Sequence, residues 1–225
     1  MSIDFSDVHV RLGERDVLRG VTASLSESRV GVVGANGSGK STLARLINGL
    51  AVPTSGSVTV LGLDTRRKGP RIRRDVGFVF TDPDAQIVMP TVAEDVAFSL
   101  RRSKLPRAVV EQRVTEVLGR YGLAGHADHP AHHLSGGQKQ LLALCSVMVL
   151  EPRILVMDEP TTLLDLRHSR QVAALLREMT QQVLVVTHDL PLLAGFDRVL
   201  VIDDGRVVAD GAPDEAIAFY RKLMA

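Results

Sequence analysis

The stretch GANGSGKS, Gly34 to Ser41, constrains this chain more than any other. It follows a short apolar run, RVGVV at Arg29 to Val33, and precedes the apolar-periodic TLARLINGL, Thr42 to Leu50. Strand, glycine-rich turn, Lys-Ser and helix in that order match a phosphate-binding loop in spacing and in context. A phosphate chain carries several negative charges, so the loop that holds it needs donors with no side chains in the way. Glycines at 34, 37 and 39 let bare backbone N–H groups point inward, and the helix start adds its positive end. With Gly34, Asn36, Gly37, Ser38 and Gly39 as the cradle, Lys40 is expected to reach the β- and γ-phosphates and the Ser41 hydroxyl to hold Mg²⁺. Thr42 is expected beside the α- and β-phosphates.

The rest of the chain supplies the frame such a loop needs. Alternating apolar positions at Ile3 to Leu12 and Val17 to Leu25 predict an antiparallel pair. The runs at Arg29 to Val33, Val76 to Phe80, Ile154 to Met157 and Val183 to Thr187 do not alternate, as expected of strands buried on both faces of a parallel sheet. Between the second and third lies a mostly helical insertion, roughly Thr91 to Leu150, with breaks at Pro106 and around Pro130. Asp203-Asp204-Gly205-Arg206 reads as a hairpin turn. The fold class is therefore α/β: a P-loop NTPase with a mainly parallel core, an N-terminal antiparallel part and an inserted helical subdomain over approximately residues 82–150. The whole, residues 1–225, is expected to be one domain.

Composition excludes more than it assigns. Basic residues number 27 and acidic residues 26, so bulk charge gives no argument for a nucleic-acid partner. Cys145 is the one cysteine and reads as a small buried hydrophobe, in keeping with a reducing compartment. The opening MSIDFSDVHV has no basic or apolar leader region and falls short of the roughly 20 residues that span a bilayer. Membrane association is expected to come through a partner.

Two further stretches carry chemistry. The ILVM run ends in Asp158-Glu159, carboxylates at a strand's C-terminal edge facing the phosphate loop. Asp158 suits Mg²⁺, and Glu159 suits a general base that polarises the water attacking the γ-phosphate. LSGGQ, Leu134 to Gln138, precedes a long helical run; Ser135 is a natural N-cap, and Gly136 and Gly137 expose donors at a second helix start.

GANGSGKS, LSGGQ, ILVMDE and Thr187-His188, in this order and spacing over nearly the whole chain, strongly resemble the nucleotide-binding domain of ATP-binding cassette (ABC) proteins. The resemblance implies ATP as ligand and a head-to-tail pair. In such a pair Ser135, Gly136, Gly137 and Gln138 of one subunit close on ATP held by Lys40 of the other. His188 would contact the γ-phosphate and hold Glu159 in line, and Asp165, ending TLLD, would lie at the seam. Four positions depart from the family pattern. Thr81 replaces the glutamine that normally contacts Mg²⁺, and water is expected to bridge the gap its shorter side chain leaves. Leu12 replaces the aromatic residue that stacks on adenine, leaving stacking weakened or supplied by another group such as Arg11. Thr162 and Leu163 are larger than the usual seam residues.

Thr81 to Gln86, TDPDAQ, interrupts two apolar stretches. On residue types alone it is a surface loop, a metal site built from Asp82, Asp84 and Gln86, or a hinge. The resemblance favours the hinge between nucleotide and transmembrane partner. Pro83 to Leu100 is similar to energy-coupling factor (ECF) ATPases, in which Gln86 would be a second glutamine. These power uptake of vitamins and transition-metal ions through an ECF-T-like scaffold and a substrate-binding membrane subunit, from the cytoplasmic face. The short C-terminal form is similar to the biotin-uptake ATPase, with cobalt or nickel uptake open. A nucleotide-gated module with little turnover and a soluble ABC protein are the competing classes. His126, His129, His132 and His133 read as a solvated linker ahead of a metal site. RRKGPRIRR, Arg66 to Arg74, reads as a solvated loop ahead of a contact with acidic lipid headgroups.

Overall fold

The computed structural model describes residues 2–162 and 164–225. Strands β1 (Ile3–Leu12) and β2 (Arg15–Leu25) form the expected antiparallel pair, and β3 (Arg29–Gly34) runs through the phosphate loop into helix α1 (Lys40–Ile47). Strand β4 (Ser55–Val60) and the two-residue β5 (Leu63–Asp64) precede α2 (Thr65–Asp75) and β6 (Val76–Val79). The helical stretch holds α3 (Val92–Ser99), α4 (Arg107–Arg120) and α5 (Gly136–Met148). Then follow β7 (Ile154–Asp158), α6 (Leu166–Glu178), β8 (Gln182–Val186), the hairpin β9 (Arg198–Asp203) and β10 (Arg206–Gly211), and α7 (Pro213–Leu223).

The described residues form two sheets, one in the order β2-β1-β4-β5 and one in the order β10-β9-β3-β8-β7-β6. The first is antiparallel throughout. The second is parallel except for the β9–β10 hairpin at its edge. Every residue of β7 and β8 is buried, which is why these runs lack the alternation of a one-faced strand. Helix α1 lies between the sheets. Its Leu43, Ala44, Leu46 and Ile47 are fully buried among Phe5 and Leu18 of the antiparallel sheet and Val32, Val186 and Leu200 of the other. On the opposite face of the parallel sheet, α3, α4 and α5 build a second core that includes Cys145, whose burial pushes its thiol pKa up.

The basic stretch Arg66 to Arg74 is helical, not a loop. Asp64 caps α2 by accepting the Arg67 N–H, Ile72 is buried, and Arg73 reaches the Asn48 carbonyl at 3.2 Å. Pro70, which has no N–H to give, and Gly69 hid this helix in the sequence; Lys68 departs from helical geometry just before them.

Asp95 of α3 ties the helical part to the loop that follows β6. This carboxylate is 3% exposed; Oδ1 accepts the Val88 and Met89 N–H groups at 2.8 and 3.0 Å, and Oδ2 accepts the Ser146 hydroxyl at 2.9 Å. Sequence reading did not single it out. Asp95→Ala strands three donors and is expected to cost about 2–4 kcal/mol in chemical denaturation. Asp95→Asn, which keeps an acceptor for the two amides, is expected to cost less than half of that.

Candidate nucleotide site

The phosphate loop is held by backbone contacts on two sides. The Gly205 N–H donates to the Ser38 carbonyl at 3.0 Å, and the Leu43 N–H to that of Gly39 at 2.9 Å as α1 begins. Gly39 caps the helix at φ 109°, and a Cβ there would lie 2.7 Å from the Val17 carbonyl oxygen, so only glycine lets the loop lie against β2. Lys40 is buried with its ammonium donating to the Gly34 and Ala35 carbonyls at 2.8 and 2.9 Å. Burial pushes its pKa down, while Glu159 and Asp158 pull it back up. An incoming phosphate chain adds the counter-charge that a desolvated ammonium lacks.

Asp158, at the end of β7, is 1% exposed; Oδ1 accepts the Ser41 hydroxyl at 2.8 Å. Its Oδ2 is buried with no hydrogen-bond donor, the Arg45 guanidinium standing 3.9 Å away. Burial raises the Asp158 pKa, opposed by the Ser41 bond and Arg45. A buried carboxylate oxygen without a donor, beside a hydroxyl, is a hard-oxygen set that fits Mg²⁺. No group of three or more His, Cys, Asp or Glu side chains converges to hold a metal among the described residues. A Mg²⁺ held by this pair would keep its other positions for phosphate oxygens and water, the usual habit of that ion.

Glu159 follows in a left-handed backbone conformation, φ 54°, which for a non-glycine residue costs about 1–3 kcal/mol. The turn places its carboxylate, 14% exposed, at the cavity edge. There Oε2 takes the His188 Nδ1 at 2.7 Å, the His188 N–H at 3.3 Å and the Thr162 hydroxyl at 3.3 Å. His188 thus faces Glu159 directly. The cavity, about 340 Å³, runs from Glu159, Lys40, Ser41 and Thr42 past Asn36 to a second end at Leu12, Arg15 and Val17.

That second end corrects one expectation. Arg11 does not line the cavity; its Nε points at Asp16, 3.7 Å away. Arg15, directly opposite Leu12 in the β1–β2 register, reaches in instead and donates to the Gly37 carbonyl at 3.0 Å. Leu12 beside it is 62% exposed.

The remaining candidate residues lie elsewhere: Ser135, Gly136, Gly137, Gln138, Asp165 and Thr81 do not line this cavity. Ser135 caps α5 in a reciprocal capping box, its Oγ accepting the Gln138 N–H while Gln138 Oε1 accepts the Ser135 N–H. Gly137 is buried under the His168 ring, so close that a Cβ would lie 2.4 Å from it. Asp165 caps α6 by accepting the His168 N–H and Nδ1, and these bonds hold its carboxyl below the usual range. Leu163 lies outside the described residues. Thr81 follows β6, beside the β7 strand that ends in Asp158.

In TDPDAQ the three side chains weighed as a metal site, Asp82, Asp84 and Gln86, each have another use. Asp82 caps the turn at Asp84, Asp84 pairs with Lys139 of α5 at 2.7 Å, and Gln86 accepts the Phe80 N–H at 3.2 Å while donating to the Ala143 carbonyl at 3.4 Å. The four histidines do not converge either; His126 stacks on His129, and His132 meets His133 edge-on.

A glycine-rich loop over a buried lysine, with a Ser–Asp oxygen pair and a carboxylate–imidazole pair at one cavity, defines a P-loop nucleotide hydrolase. The ABC transporter family profile matches residues 18–162. A biotin transport ATP-binding protein, BioM, of Rhizobium etli is 47% identical over 225 residues, all of both chains. Among solved structures, cbiO1 of Clostridium perfringens, part of the ABC transporter complex cbiONQ, superposes with a TM-score of 0.85 at 32% identity, covering 99% of this chain and 92% of that one. The dimeric ATP-binding cassette MJ0796, bound to ADP and Pi in a post-hydrolysis state, superposes with a TM-score of 0.81 at 28% identity, covering 94% and 98%. The chain belongs to the ABC transporter family and is an ATPase of that family.

Arg15 and the exposed Leu12 both line the cavity on its β1–β2 side, and a guanidinium can stack on a purine base. Arg15→Ala is expected to weaken ATP and GTP alike, by about 2- to 5-fold in equilibrium titration. Tripolyphosphate, which has no base, is expected to lose less affinity than either nucleotide, because Arg15 also bonds the phosphate loop.

Proposed function

We propose that this chain is the ATP-hydrolysing subunit of an ECF-type importer. It works as a head-to-tail pair on the cytoplasmic face of the membrane, through a transmembrane scaffold and a substrate-binding membrane subunit. Biotin is the favoured substrate, supported by the full-length likeness to BioM. Pairing and membrane partners are supported by the dimeric MJ0796 and by cbiO1's place in a transporter complex. No helix among the described residues is long and apolar enough to cross a membrane.

The observation that carries the hydrolytic reading is the Glu159–His188 pair, set at the cavity that Lys40 also lines. Lys40 and the loop amides hold the β- and γ-phosphates. Ser41 and Asp158 would hold Mg²⁺, which would neutralise developing phosphate charge. Glu159 takes a proton from the attacking water as the new bond to phosphorus forms. The bond from the γ-phosphorus to the ADP oxygen breaks, leaving ADP and inorganic phosphate. His188 keeps the carboxylate oriented through the 2.7 Å bond. Ser135, Gly136, Gly137 and Gln138 close on the nucleotide of the other protomer, and Asp165 lies at the seam. Thr81 would reach the metal through water, which would loosen the link between hydrolysis and the partner without abolishing it.

Lys40→Ala is expected to abolish tight ATP binding, because it removes the charge that meets the phosphates. Glu159→Gln is expected to keep binding and trap a closed pair, with turnover down about 100- to 10,000-fold. Phosphate release and ATP titration on the purified complex separate these outcomes. Biotin uptake into vesicles holding the assembled complex tests the substrate. ATP-dependent uptake of a transition-metal ion instead of biotin would reassign it, and absence of steady turnover would favour a nucleotide-gated module.

A further inference from the structure

One histidine of the segment between α4 and α5 touches the helix start that bears Ser135. His126 Nε2 lies 2.6 Å from the side-chain nitrogen of Gln138. The other end of that amide sets its orientation, since Gln138 Oε1 accepts the Ser135 N–H at 2.9 Å. The amide nitrogen therefore donates to the imidazole, which must accept through an unprotonated Nε2. The ring proton then sits on Nδ1, a buried atom that has no hydrogen-bond partner among the described residues.

The mount of His126 is well tied. Its ring stacks on His129 with centroids 5.0 Å apart and planes at 22°. The segment bonds to the start of α3, the Ala93 N–H to the Ala127 carbonyl at 2.9 Å and the Val92 N–H to that of His129 at 3.2 Å. The Ala131 N–H meets the Pro90 carbonyl at 2.8 Å, and Pro90 ends the loop that begins at Thr81. Through these bonds the exposed turn at Ser135 and Gly136 is referenced to the loop after β6 as well as to its own helix.

We infer that His126 is a positioning residue for ATP-driven pairing. It fixes the Gln138 amide so that the capping box stays closed and Ser135 and Gly136 are presented in one conformation to the nucleotide of the other protomer. This rests on the head-to-tail reading above. His126 touches neither the phosphate cavity nor its ligands, so ATP binding by a single protomer does not depend on it.

The test uses the assembled complex. His126→Phe and His126→Ala both remove the acceptor, the first keeping a ring to stack on His129; His126→Gln restores an acceptor at similar reach. The acceptor-free variants are expected to raise the half-saturating ATP concentration for hydrolysis about 3- to 10-fold, the worth of one hydrogen bond, with kcat within about twofold. His126→Gln is expected to return it to within about twofold of the native value. Placement gives the sharper readout. In a pair with one Lys40→Ala protomer, the single competent site takes its Ser135 turn from that protomer, so His126→Phe should act there and be silent on the other. Equal effects at both placements, or no rescue by Gln, would make His126 a packing residue and overturn the inference. Failure of Lys40→Ala and native protomers to form any ATP-dependent pair, with His126 intact in both, would overturn the head-to-tail reading and this inference with it.

Discussion

Leu43, Ala44, Leu46 and Ile47 press one short helix against two sheets at once, and the nucleotide cavity depends on that clamp. Each fully buried aliphatic side chain contributes about 1.5–3 kcal/mol, so the helix is far more fixed than eight isolated residues could be. Its first turn carries Lys40, Ser41 and Thr42. The residues proposed to meet phosphate therefore sit on a helix packed between two sheets, while the loop before them is held by backbone contacts and by the side chains of Arg15 and Lys40. Binding energy spent on the triphosphate need not be diverted into ordering these side chains.

The same clamp explains how the cavity tolerates buried charge. Lys40 and Asp158 are both desolvated, with pKa directions that oppose their charged forms, yet each also feels an opposite charge nearby. Asp158 stands at the edge of a strand buried along its whole length, and Arg45 of α1 approaches its orphan oxygen from the helix. Such a set is electrostatically incomplete in the chain alone, and a ligand that brings both a dense negative chain and a divalent cation completes it.

Much of this was legible in sequence because it is local. The phosphate loop, the Asp158-Glu159 strand end and the Ser135 cap each depend on neighbours within a few residues, and turn chemistry reports them faithfully. What failed to show was set by register or by distant segments. Arg15, not Arg11, enters the cavity because β1 carries irregularities between Val8, Val10 and Arg11 that turn the strand end. Strand β4 went unread because Gly56 and two serines dilute its alternation. Asp95 reaches Ser146, 51 positions away, and His126 reaches Gln138, 12 positions away, and nothing local marks either as different from a surface polar residue.

The backbone at Glu159 has an implication for how this chain can change. A glycine there would relax the left-handed turn and make the folded protein sturdier, by about 1 kcal/mol. It would also delete the carboxylate. Any search that rewards heat resistance or expression alone will drift toward that substitution and discard chemistry on the way, so position 159 is where durability and turnover draw the sequence in opposite directions.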